Sequence, residues 1–270
     1  MNGARIPDPE YVAARRVLLD AFEALGNHRK ALVLVGAQAI YLHVGEGDLA
    51  VAPYTTDGDL AIDPRELDDE PALAATLESA GFEPTVQPGT WTLTEVQIDL
   101  LVPAVLGGSG RRGARLGVHG TTVARKAAGL EAAIVDHAKV RLASLDPADP
   151  RSFDVSVAGV AALLVSKLHK IAERNSDPGR LKDKDGLDTL RLLRFADTDL
   201  LAGTLKGLSA HSVAGEVTRR AREFLQELFG DRTGVGAQLA VRASAGLEDS
   251  DAIALSCEVL AQRLLAAWMP

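Results

Sequence analysis

Two aspartates stand one residue apart in "TTDGDL", Asp57 and Asp59, inside a stretch that otherwise reads as a strand. Side chains at i and i+2 of a strand share a face, about 7 Å apart. Two ionised carboxylates aimed the same way repel each other unless a cation lies between them. A third carboxylate, Asp99 in "VQIDLLV", has apolar neighbours on both sides. An aspartate inside such a run requires a partner. Three aspartates on adjacent strands would form an oxygen-rich site for a hard cation that keeps some of its waters, magnesium or manganese. A pair of such ions about 4 Å apart is the usual apparatus of phosphoryl and nucleotidyl transfer. The plainer reading of "DGD" is an acidic turn, because Asp-Gly is also a hairpin signal.

The elements that must position these groups follow from periodicity. "KALVLVG" is a short apolar run ending in glycine, a buried strand, and "AQAIYLHV" after it has helical character. A glycine at a helix start lets backbone N–H groups approach phosphate oxygens. A strand is expected through Asp57 to about Ile62, then a helix over "EPALAATLESAGF" closed by Gly81. "EPTVQ", "TWTLTE" and "VQIDLLVP" read as paired strands around turns containing Pro88-Gly89 and Glu95. Ahead of them all, an amphipathic helix runs from Pro9 to about Leu25 behind a Pro-Asp-Pro start. The glycine-rich segment Leu106 to Gly117 is expected to be a mobile loop that packs no core. Beyond "DPADP" the character changes, with "VAALLVSKLHKIAER", "KDGLDTLRLLRF", "DLLAGTLKGL", "EVTRRAREFLQELF" and "DAIALSCEVLAQRLLAAW" all carrying apolar residues three and four apart. The expected fold class is α/β (α+β), a mixed sheet with flanking helices over 1–149 followed by a helical domain over 150–270.

With 47% hydrophobic residues in 270, the chain can bury a sizeable core. Its longest apolar stretches fall short of the roughly 20 residues a membrane span needs, so no membrane partner and a cytoplasmic location are expected. Cys257 is a lone cysteine, which excludes an intramolecular disulfide and a multi-cysteine zinc site. His43, His119, His137, His169 and His211 lack partners at metal-ligand spacing. A net charge of -8 argues against broad nucleic-acid affinity. Local basic groups at Arg111, Arg112 and Arg115, at Arg125 and Lys126, and at Arg219, Arg220 and Arg222 could line a channel for a polyanion such as tRNA, or be solvated faces.

In the helical half, Lys167 is flanked by Leu163, Leu164 and Leu168. A lysine on the core side of a helix needs an anionic partner, for which a triphosphate would serve, or else snorkels to water. Asp185 and Asp188, three apart on one helical face, could hold Lys167 or a base, or face solvent.

The order apolar strand, "VGAQA", "DGDL", "QIDLLV" resembles the nucleotidyltransferase superfamily that includes DNA polymerase beta. By that resemblance Gly36 and Ala37 form the phosphate-contacting turn, Thr56 joins the nucleotide contacts, Asp57 and Asp59 are the metal pair, and Asp99 is the third ligand. Ala37 replaces the usual glycine or serine and Gly58 an apolar residue. "FDVSVAGVAALLVSKLHKIAERNSDPGRLKDKDGLDTLRLL" is similar to the segment after the catalytic core in the abortive-infection group, many of them toxins of type IV toxin-antitoxin systems. There a short strand leads into a Lys-Leu helix and a Lys-Asp-x-x-Asp helix, which carries over to Lys167, Asp185 and Asp188 as nucleotide-site residues. The resemblance implies transfer of a nucleotidyl group from a nucleoside triphosphate to a hydroxyl of a tRNA 3′ end or a protein, with a cognate antitoxin as partner. Transfer to an aminoglycoside-like small molecule, and a non-catalytic nucleotide- or partner-binding module, are the alternatives.

Overall fold

The computed structural model describes residues 8–45 and 54–269. Among these, 8–39, 54–127 and 138–157 form one compact unit, and 40–45, 128–137 and 158–269 form another. Pro7 of the Pro-Asp-Pro start lies outside the described residues.

The first unit is a mixed sheet with helix α1 (Pro9–Ala24) on one face. Asp8 caps α1, its side chain accepting from the Glu10 N–H, and Pro9 occupies the first turn, where no amide partner is required. Strand β1 (Leu32–Val35) is buried along its whole length, as a central strand covered on both faces should be. It passes without a loop into α2 (Gly36–Val44). Strand β2 (Asp57–Ile62) pairs antiparallel with β1, Val35 opposite Asp59. After α3 (Leu73–Ser79) come β3 (Glu83–Pro84), β4 (Thr90–Leu93) and β5 (Val96–Pro103). β3 and β4 pair antiparallel, as do β4 and β5. The hairpin joining β4 to β5 turns at Thr94 and Glu95, both at positive φ. β5 runs parallel to β2. Its second half pairs with β6 (Arg125–Ala127), also parallel. β7 (His137–Ala143) and β8 (Ser152–Ala158) complete the sheet, in the order β3-β4-β5-β2-β1-β8-β7. β8 follows the sequence boundary at Asp149 yet hydrogen-bonds to β1 in parallel, so the sheet unit reaches residue 157.

Two expectations are corrected here. The helix after β2 is shorter than "EPALAATLESAGF", beginning at Leu73 behind Pro71 and Ala72 and ending before Gly81, whose φ is +86°. The glycine-rich segment packs in part, at Gly107, Ala114 and Leu116, while 108–112 are exposed. Ala114 and Leu116 are buried, Ala114 N–H donates to the Ala124 carbonyl, and Lys126 N–H donates to the Arg112 carbonyl. Composition missed this because the backbone groups of 112–114 find partners at 124–126, a long-range pairing that no local pattern records.

The second unit holds α4 (Val160–Asn175), α5 (Asp183–Phe195), α6 (Thr198–Ala210), α7 (Gly215–Phe229), α8 (Val235–Ala243) and α9 (Ser250–Ala267). α5 packs on α4, α8 and α9, and α7 on α4, α6 and α9. α8 carries little apolar signal because it is short, is capped by Gly234 and turns mainly small residues, Ala237 and Ala240 with Leu239, into the core. Among the described residues no helix is long and apolar enough to cross a membrane.

Candidate functional site

The three aspartates share one face of two neighbouring strands. Parallel pairing sets Asp59 directly beside Asp99 and Asp57 beside Gln97. Gly58 and Ile98 face the other way, toward Leu18 of α1, which fills that side of the sheet. α1 therefore fixes which face is core, and strand alternation puts all three carboxylates on the opposite face, half-buried.

The turn from β1 into α2 meets the same place. Gly36 has φ +69°, and a Cβ there would lie 2.0 Å from Asp59 Oδ2. Glycine is required twice over, by the left-handed backbone and by the carboxylate packed against it. Ala37, next along the turn, is buried. Thr56 is exposed just ahead of β2, and it is the buried Thr55 that donates to Asp57 Oδ1, at 2.5 Å.

Several residues that hold this arrangement had no signal in the sequence. Gln38 donates from Nε2 to the Asp57 carbonyl at 3.0 Å and accepts at Oε1 from Arg15 Nε at 2.8 Å. Arg15 is buried and also donates to the Ala143 carbonyl and the Tyr11 hydroxyl. Burial lowers the pKa of the Arg15 guanidinium, with Tyr11 opposing the shift. The backbone of the Asp57 strand is thus tied to a polar chain running into α1.

Asp99 is engaged at both oxygens. Thr90, opposite it on β4, donates from Oγ1 to Oδ1 at 2.6 Å, and Arg125 of β6 donates from Nη2 to Oδ2. Arg125, read from sequence as part of a basic group open to a polyanion, instead forms an ion pair on the acidic face. Lys126 beside it donates to the carbonyls of Gly108 and Gly110, while Arg111, Arg112 and Arg115 are exposed. Among the described residues, no group of three or more His, Cys, Asp or Glu side chains is placed to hold a metal ion. The donor types suit a hard divalent cation. The third donor, however, is held by an arginine.

Lys167, Asp185 and Asp188 lie together in the second unit. Lys167 Nζ donates to Asp185 Oδ1 and Asp188 Oδ2, both at 2.8 Å, and all three side chains are buried. Arg174 adds a contact to Asp185 at 2.9 Å, Lys170 one at 3.4 Å, and Arg191 one to Asp188 at 3.0 Å. Burial alone would push the Asp185 carboxyl up; Lys167, with Lys170 and Arg174, holds it well below the usual carboxylate range. Burial likewise pushes Lys167 down, and the two aspartates more than reverse it, leaving the ammonium above its ordinary value. Of the sequence alternatives, the aspartates hold Lys167, so its burial needs no phosphate to explain it.

Compared with protein-family models, characterised proteins and solved structures, the chain matches none.

Proposed function

We propose that the acidic face of the sheet unit is a nucleotide site, and that the protein is a metal-dependent nucleotidyltransferase with an acceptor hydroxyl as its second substrate. The observation that carries this reading is the register: Asp59 beside Asp99, Asp57 two residues earlier, and the Gly36 turn packed against Asp59. This is the convergence that the resemblance to the polymerase beta superfamily calls for. Asp57 and Asp59 would hold magnesium or manganese, with Asp99 as third donor once it is free of Arg125. The bound ion would supply charge neutralisation at the phosphates and activation of the attacking oxygen. The chain's own contribution is positional. Gln38 and Arg15 fix the Asp57 strand, Thr55 and Thr90 orient two carboxylates, and the backbone amides of the Gly36–Ala37 turn would be the donors to phosphate oxygens.

The test is incubation of the purified protein with each α-labelled nucleoside triphosphate, magnesium and, in separate reactions, total tRNA, protein or an aminoglycoside. Wild type is expected to transfer label to one acceptor class, and Asp57→Asn to lose transfer while keeping its circular dichroism spectrum. Undiminished transfer by Asp57→Asn removes the site assignment. A second reading, a nucleotide-binding module without turnover, is favoured by the Arg125 pairing of Asp99. Its signature is triphosphate binding with no labelled product from any acceptor.

A further inference from the structure

Resting on the nucleotide-site reading, we infer that Arg125 is the resident counter-ion of Asp99, competes with a divalent cation for that carboxylate, and on release binds a phosphate of the nucleotide. Both oxygens of Asp99 already accept a hydrogen bond, one from Thr90 and the other, as an ion pair, from Arg125. The Arg125 and Asp99 side chains are only 26% and 21% exposed, so water screens the pair weakly. A cation arriving at Asp99 meets a guanidinium already in contact with it, and like-charge repulsion opposes its entry until Arg125 moves.

The backbone is built to put Arg125 there. Gly89, one residue before Thr90, has φ +80°, and a Cβ on it would lie 2.5 Å from the Arg125 backbone nitrogen and 2.6 Å from the Leu100 carbonyl oxygen. Its N–H donates to Thr122 and its carbonyl accepts from Leu100. Gly89 thus lets β6 close against the β4–β5 corner, so that Thr90 and Arg125 approach the two oxygens of Asp99.

Arg125 also has donors to spare. Its Nε is buried with no hydrogen-bond partner, an unsatisfied donor that ordinarily calls for an acceptor. A phosphate offers paired oxygens that match a guanidinium fork. Handing Arg125 from Asp99 to a phosphate would satisfy both groups while freeing the third carboxylate for the cation.

The experiment measures Mn2+ alone, by the loss of its free electron-paramagnetic-resonance signal, on wild type, Arg125→Gln, Arg125→Lys and Asp57→Asn. Arg125→Gln is expected to bind Mn2+ about tenfold more tightly than wild type, the scale of one charge-assisted contact, and Arg125→Lys to stay closer to wild type because the charge remains. ATP affinity should fall in Arg125→Gln. Equal Mn2+ affinity in wild type and Arg125→Gln, with binding lost in Asp57→Asn, overturns the competition and leaves the nucleotide site standing. No Mn2+ binding by any protein removes the cation site and the inference together. If Arg125→Gln does not fold, the wild type decides: the Arg125 Nε–H resonance should shift as Mg2+ is added, and a stationary resonance refutes the exchange.

Discussion

Replacing Lys167 with methionine tests the buried network of the helical unit. Methionine keeps the stem and deletes the ammonium, which donates at 2.8 Å to both Asp185 and Asp188. Removing one partner of a buried ion pair costs about 3–5 kcal/mol, because the other charge is left without compensation. Here Arg174 and Lys170 still face Asp185 and Arg191 still faces Asp188, so the lower end, about 3 kcal/mol, applies. For a chain of this size that lowers Tm by roughly 6–12 °C. The assay is thermal and urea unfolding by circular dichroism at pH 7. A second arm uses pH. The folded pKa of Asp185 is depressed, so the stability it gains from its cations is fully present above the unfolded value of about 4 and is lost as pH falls through the lower folded value. The gap between wild type and Lys167→Met should therefore be full at pH 7 and shrink on acidification below about pH 4. A variant as stable as wild type at pH 7, or a gap that widens in acid, refutes the account. ATP affinity, measured well below the transition, should be unchanged, since Lys167 is already neutralised within the protein. A large loss of ATP affinity would return the lysine to the proposed nucleotide site.

Gly36→Ala forces a Cβ to within 2.0 Å of Asp59 Oδ2 on a backbone at φ +69°. The left-handed conformation alone costs about 1–2 kcal/mol, and the displaced carboxylate should weaken Mn2+ binding beyond that stability loss; unchanged Mn2+ affinity would separate Gly36 from the site. Cys257 is buried, and burial pushes its thiol up to about 12 despite the opposing pull of Arg194. The native protein should resist iodoacetamide at pH 8 and label only after denaturation, so rapid native labelling would contradict the packing of α9.

The sequence by itself determined the order and type of the elements from α1 to β5 and of the long helices of the second half, because apolar periodicity reports which face of each element must be buried, whereas β6, β7 and α8 carry no such pattern. The buried run "LVLV", the alternation around Asp57 and Asp59, and the amphipathic helices of the second half were legible on that ground. That Asp57, Asp59 and Asp99 stand on adjacent strands was legible in the same way, whereas the register that sets Asp59 beside Asp99 is the sheet's. The partners of those carboxylates were not legible. Arg125 stands 26 positions after Asp99 and reads locally as one more surface charge. Only the parallel pairing of β6 with β5, and the approach allowed at Gly89, direct it onto the acidic face. Gln38 and Arg15, 23 positions apart, are likewise joined by the packing of α1. Lys167 shows the same division of information. Its buried position was readable from its leucine neighbours, but its choice of Asp185 and Asp188 over a ligand is tertiary. Periodicity encodes which way a side chain points, whereas the identity of a counter-ion depends on which distant segment arrives at the same spot, and no local pattern records that.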